Sequence, residues 1–172
     1  MSDTVEAVIR QTEKTLWEVK NVISCVPDKL WDKPFAGAPI YIHIYHMLHS
    51  LDRWFINPYD DSYTEPVFHV PGLNDIDAAP DVFLSRALLA GYLDDVEKKI
   101  LSYVRSLTDA LAQEKPKDSP YSRLELILGQ LRHLYAHVGM LMGWIIAFDG
   151  RWPLTLGMER QIPEEGDMPF FA

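Results

Sequence analysis

His133 and His137, in the run Arg132-His133-Leu134-Tyr135-Ala136-His137, are the residues of this chain best spaced for chemistry. Positions i and i+4 of a helix share one face, so both imidazoles can reach a single metal ion. The pattern is not that of a zinc peptidase, because Leu134 stands where H-E-x-x-H needs its general-base glutamate. Such a pair also arises by chance on helices whose histidines merely pack or face water. A second group, His43, His46 and His49, offers the complement. A third imidazole from there would complete a three-histidine facial site with positions open to water or substrate. His46 and His49, three apart, cannot easily both join the later pair. His49 flanks an apolar stripe beside Ile42 and Ile56 and reads equally as a buried structural histidine. His46 lies on a polar lane, where the plain alternative is a solvated residue, and periodicity does not choose between the two. His43 reads as a surface residue and His69 as a lone loop histidine.

Other chemistry is thin. Asp52 either orients a histidine or pairs with a basic surface residue. Tyr45, Tyr135 and Trp144 at helical spacing read as packing before pocket lining. Cys25 has no neighbouring histidine or cation run to make a thiolate of it. No Gly-rich phosphate loop, Walker motif or G-x-S-x-G elbow occurs. The paired carboxylates of di-iron bundles are absent too, since neither histidine-bearing helix contains E-x-x-H.

The elements that must bring the two histidine groups together are helices. Val5, Val8, Ile9, Thr12, Leu16, Val19, Ile23 and Val26 recur at three- and four-residue steps, and the spacing predicts a first helix over 2–26. A capping-box-like start at Ser2-Asp3 with Glu6 opens it, and Pro27 closes it. The second helix is expected over 39–57, from Pro39 to the stop at Pro58. Its apolar stripe is Ile44, Leu48, Leu51 and Phe55, opposite a polar lane of His43, His46, Ser50, Arg53 and Asn57. A long ordered loop over 58–79 follows, of the length that commonly packs over a site. A third helix is expected over 80–107 and a fourth over 121–148. The fourth carries the unbroken seam Leu124, Ile127, Leu131, Leu134, Val138, Leu141 and Ile145, with Leu126 and Trp144 beside the histidine lane. Gly150 and Pro153 end it, and an irregular Pro/Gly-rich tail with acidic Glu164, Glu165 and Asp167 completes the chain. The expectation is an all-α fold: a four-helix bundle forming one domain over 1–172.

Composition bounds the function. A chain of 172 residues with 48% hydrophobic residues can bury roughly 70% of its unfolded surface without disulfide or structural metal. Sixteen Lys and Arg against 25 Asp and Glu give a formal net charge of −9 and no basic run, which argues against nucleic acid. One cysteine rules out an intramolecular disulfide framework and a cysteine-rich zinc site. No signal-peptide core and no stretch of 18 apolar residues occurs, so no membrane is expected and a cytoplasmic setting is the default reading. Trp17 and Val22 on the first helix read as exposed, and could support a homodimer.

Two segments resemble the DinB/YfiT-like superfamily of metal-binding four-helix bundles. They are Tyr45-His46-Met47-Leu48 through Asp52-Arg53-Trp54-Phe55, and Leu131-Arg132-His133-Leu134-Tyr135-Ala136-His137-Val138-Gly139. The second is similar to the family's R-H-x-x-x-H-h-G signature, while the first is looser. Helix order, helix lengths and the loop after helix two fit over nearly the whole chain. The resemblance implies a divalent transition metal held by His46, His133 and His137, with Zn or Ni expected ahead of Fe or Cu. His46 takes the helix-two position by the Y-H-x-L…D spacing, and His49 then stands where similar sequences are usually apolar. It implies a metal-dependent enzyme, either a thiol-dependent transferase or a hydrolase, acting on a small-molecule substrate or thiol. A cation with only neutral ligands keeps its full charge for such work. The alternative is a non-catalytic, stress-associated bundle that binds a metal or small ligand. Homodimers are common among similar bundles.

Overall fold

Serine and threonine side chains set where the later helices of this chain begin. The computed structural model describes residues 3–164 and 166–172. The first helix, α1, spans Asp3–Cys25. Ser2 of the expected capping box lies outside the described residues, as does Glu165 of the acidic tail. A 3-10 turn at Asp28–Leu30 leads into a small hairpin, β1 (Pro34–Phe35) and β2 (Ala38–Pro39). Its turn residues Ala36 and Gly37 both have positive φ, 45° and 95°, the conformation that two-residue hairpin loops favour.

Helix α2 spans Ile40–Trp54, three residues shorter at its end than expected. Helix α3 spans Arg86–Ser106 rather than starting near Pro80. The reason is a cap: the Ser85 hydroxyl accepts the Leu88 N–H at 3.2 Å, so the chain stays extended until that point. A short helix that periodicity did not reveal, α4 (Asp109–Gln113), starts at a Thr108 cap. Helix α5 spans Arg123–Asp149 and opens with a full capping box, Ser122 with Glu125. It stops at Gly150, whose φ of 72° suits a residue without Cβ.

The four long helices form an all-α bundle in which α1 and α2 each pack against both α3 and α5. The first two helices are therefore not each other's main partners, and α2 is brought beside α5. Helix α4 braces α5 and α1. Among the described residues, no helix is long and apolar enough to cross a membrane.

Helix α2 departs from the one-sided pattern expected of it. Ile40 through Tyr45, Met47 through His49 and Leu51 are all buried. The hairpin covers one side, and residues 55–85 cover another. This long loop is a chain of tight turns, with backbone bonds such as His69 N–H to Pro66 O (2.8 Å) and Asp75 N–H to Gly72 O (2.9 Å). Buried Leu73 and Leu84 anchor it, and the Trp31 indole N–H donates to Leu84 O at 2.8 Å. Arg86 ties the start of α3 to the end of α1 by donating to the carbonyls of Ile23 and Val26, at 2.9 and 2.7 Å.

The C-terminal segment is strapped across α1. Asn21, fully buried, donates to the carbonyls of Leu154 and Phe170 and accepts the Phe170 N–H. Buried Glu18 accepts the Leu156 N–H and the Tyr135 hydroxyl. Phe170 packs on Trp17, with ring centroids 5.7 Å apart. Trp17 and Val22 are consequently buried, which corrects their reading as an exposed dimer face. Periodicity of α1 could not reveal a cover supplied from the far end of the chain.

Candidate metal centre

Packing of α2 on α5 brings His46, His133 and His137 together, with one ligand atom of each within 4.8 Å of the other two. Ring centroids lie 5.8 Å (His46 to His133), 5.0 Å (His46 to His137) and 4.6 Å (His133 to His137) apart. The i, i+4 spacing puts the α5 pair in one lane, with Nε2 facing Nε2 at 3.1 Å. That is close to the roughly 3.3 Å that two nitrogens adopt at a tetrahedral angle on 2.0–2.1 Å metal bonds.

Hydrogen bonds set the tautomers. His46 Nδ1 lies 2.7 Å from Asn74 O, and a carbonyl only accepts. The proton therefore sits on Nδ1 and leaves the Nε2 lone pair free. At His133, Ser50 Oγ lies 3.3 Å from Nδ1 while the hydroxyl points its own proton at Gln130 Oε1. His133 Nδ1–H donates to that oxygen, again freeing Nε2. Ligand histidines are held in this way wherever they bind metals. His137 has no such holder: its Nδ1 is buried with no hydrogen-bond partner. In the chain by itself its Nε2–H donates to His133 Nε2, an arrangement that leaves the orphan acceptor behind.

Burial favours the neutral form of the α5 pair. It pushes His137 down to about 4, helped by His133, His46 and His43, and pushes His133 down with help from His46. Two imidazoles held neutral by burial and a third whose Nε2 is left free by the Asn74 carbonyl offer the lone pairs a divalent cation requires, so the donor set fits a metal.

Of the remaining histidines, His43 and His69 need correction, while His49 takes the buried position that was one of its two readings. His43 is buried, not at the surface: its Nε2–H donates to Phe35 O at 2.6 Å, and its ring stands edge-on to Trp144 at 4.9 Å. Trp144 stacks on Phe35 at 4.6 Å, so the hairpin seals this flank. His69 is not a lone loop residue, since its Nδ1 lies 2.6 Å from the Tyr45 hydroxyl and its ring stacks on His49 at 5.3 Å. His49 is buried, 4% exposed, with Nε2 2.6 Å from Glu65 Oε2. Asp52 pairs with Lys99 and accepts the hydroxyls of Tyr63 (3.2 Å) and Tyr92 (2.9 Å), so it is a basic-residue partner and not an orienter of the three histidines. Cys25 is buried, its thiol pushed up to about 12 by desolvation, which excludes a ready thiolate.

Asn74 went unforeseen because it acts through its backbone carbonyl, which no residue type betrays. Glu65 has a faint signal, since it stands four residues before His69. Beside His46 opens a pocket of about 400 Å³ lined by His46, His49, Ser50, Arg53, Trp54, Pro58 and Asn74. It is the space in which a small molecule could reach the centre.

The neutral histidines make the metal-free fold acid-sensitive. Burial holds His43, His49, His133 and His137 below the ordinary 6.5. The unfolded chain therefore takes up protons first as pH falls. Stability contributed by these groups is complete above about pH 6.5 and drains away towards about pH 4, the His137 value. Urea midpoints of chelator-treated protein should fall between about pH 7.5 and about pH 5 at unchanged slope, and a constant midpoint would refute the assignment.

Set against the models of known protein families, the curated proteins and the solved structures, the chain matches none.

Proposed function

We propose that His46, His133 and His137 hold a divalent transition metal, Zn or Ni before Fe or Cu, in a metal-dependent enzyme of the DinB/YfiT-like kind. The reaction is a thiol-dependent transfer or a hydrolysis on a small molecule. One observation carries this reading: three imidazoles from two helices converge with no carboxylate among them. When bound, a cation with only neutral ligands supplies undiminished Lewis acidity towards a carbonyl, a water or a thiol.

The chain's own residues do the positioning. Asn74 and Ser50 fix two of the three rings, and Phe35 and Trp144 close the flank behind them. Arg53 and Trp54 border the neighbouring pocket and offer a cation and an aromatic face to a substrate entering beside His46. The Arg53 guanidinium favours a substrate carrying an anionic group.

Elemental analysis of untagged protein tests the centre. His46→Ala and His133→Ala are each expected to lower the metal content by one equivalent. Undiminished content in both variants refutes the site. Consumption of a low-molecular-weight thiol with an electrophile, or of ester and amide substrates, then separates enzyme from binder. Turnover that disappears with the metal supports the enzyme. Loss of metal in His133→Ala without any metal-dependent turnover in the wild type leaves the alternative, a non-catalytic metal- or small-ligand-binding bundle.

A further inference from the structure

A second cluster lies one helical turn further along α2. His49 Nε2 sits 2.6 Å from Glu65 Oε2, and His69 Nδ1 lies 3.8 Å from the same oxygen. One donor atom from each of His49, Glu65 and His69 falls within 4.8 Å of the other two. The geometry points to a second divalent-cation site at these three residues. Two histidines and one carboxylate form a donor set that binds first-row divalent metals and leaves further positions open.

Several features distinguish this group from a surface ion pair. His49 is 4% exposed, on a helix most of whose residues are buried, so one donor is rigid. Glu65 and His69 come from the adjoining loop, where the Pro66 carbonyl accepts the His69 N–H at 2.8 Å and fixes their relative placement. The hydroxyl of fully buried Tyr45 lies 2.6 Å from His69 Nδ1, the same nitrogen that faces Glu65, so it fixes the ring in the absence of a cation and a cation taken there displaces it. The two imidazoles stack at 5.3 Å with planes 18° apart, which sets both rings side by side against the carboxylate. The carboxylate beside them gives the site a negative charge that the three-histidine centre lacks, which favours a dication.

Binding demands modest change. The proton on His49 Nε2 leaves to buffer as that lone pair takes the cation, and the 2.6 Å separation opens to roughly 3.3 Å. Arg53 gives up a 3.4 Å contact to Glu65 at the surface, where such pairs contribute little. His49 lines the same pocket of about 400 Å³ as His46, so the two centres border one cavity. This inference does not depend on the three-histidine reading.

Full-length protein freed of metal should be titrated with Zn²⁺ against a chromophoric competitor, and in parallel with Co²⁺ to observe ligand-field bands. Glu65→Gln is the informative variant, because a glutamine carbonyl still accepts the His49 Nε2–H while the anionic ligand is gone. A structural hydrogen bond would survive it. Two equivalents are expected for wild type and one for Glu65→Gln, the second weakened by more than the about 10–100-fold that outer-shell changes cost. His69→Gln provides the same readout should Glu65→Gln not fold. The double variant His133→Ala/His137→Ala should retain one equivalent, with Co²⁺ bands that Glu65→Gln removes. Equal stoichiometry and affinity in wild type and Glu65→Gln overturns the proposal. So does a folded double variant that binds nothing. Failure of the three-histidine centre looks different: the double variant then titrates like wild type while Glu65→Gln still loses its equivalent.

Discussion

Removing the metal with a chelator should lower the melting temperature by on the order of 10 °C, provided only the three-histidine centre is read. The Glu65→Gln background achieves that. A ligand at 100 to 1,000 times its dissociation constant stabilises the native state by about 2.7–4.1 kcal/mol. For a domain of this size each kcal/mol corresponds to roughly 2–4 °C. Adding His133→Ala and His137→Ala should abolish the chelator response. It should also remove the orphaned His137 Nδ1 and the Nε2–Nε2 contact that the chain tolerates without a ligand. Differential scanning calorimetry with and without chelator gives the answer. A melting point that ignores chelator in the Glu65→Gln protein would contradict the assignment of His46, His133 and His137.

The second large effect lies on the opposite side of the bundle. Asn21→Ala should destabilise the fold by roughly 3 kcal/mol, or about 6–12 °C. Its side chain is fully buried and makes three hydrogen bonds to the C-terminal segment, at 3.1 Å to Leu154 O, 3.0 Å to Phe170 O and 2.8 Å from Phe170 N–H. Truncation leaves the Phe170 N–H and the Leu154 carbonyl without partners in a closed site, where each costs about 1–3 kcal/mol, while the Phe170 carbonyl keeps the Leu154 N–H. Asn21→Asp should rescue little, since it keeps the acceptor but turns two carbonyl contacts repulsive. Thermal melts and limited proteolysis of the segment after Pro153 measure the effect together. A melting point within about 1 °C of wild type would show the strap to be energetically idle.

The bundle was legible because long helices write their period into the chain. The α5 seam from Leu124 to Ile145, ended by Gly150, needed no tertiary information, and the His133–His137 pair follows from the i, i+4 geometry of that helix alone. Bringing His46 to it required α2 to pack beside α5, which the helical packing supplies. What stayed hidden has a common cause. A polar lane on α2 implies solvent only if nothing covers it, and here a hairpin and a loop do. The hairpin is what hides His43, and the loop is what gives His69 its partners. Trp17 takes its cover from Phe170, and Val22 belongs to the core. The late start of α3 is subtler. Pro80 is an acceptable first-turn residue, but the Ser85 cap decides the boundary, and a proline without its cap is weak punctuation.

The Asn74 carbonyl that holds His46 belongs to the loop over α2, not to the bundle. The centre is thus assembled from parts of unequal permanence. Residues 55–85 are held by tight turns and two buried leucines, whereas α2 and α5 are locked into the core. Local openings of such segments cost far less than global unfolding. An ion held at the three histidines, as proposed, would therefore exchange on the clock of the loop. Its residence time is a kinetic property that substitutions at Leu73 or Gly72 would shorten while the affinities of the imidazoles themselves stay as they are.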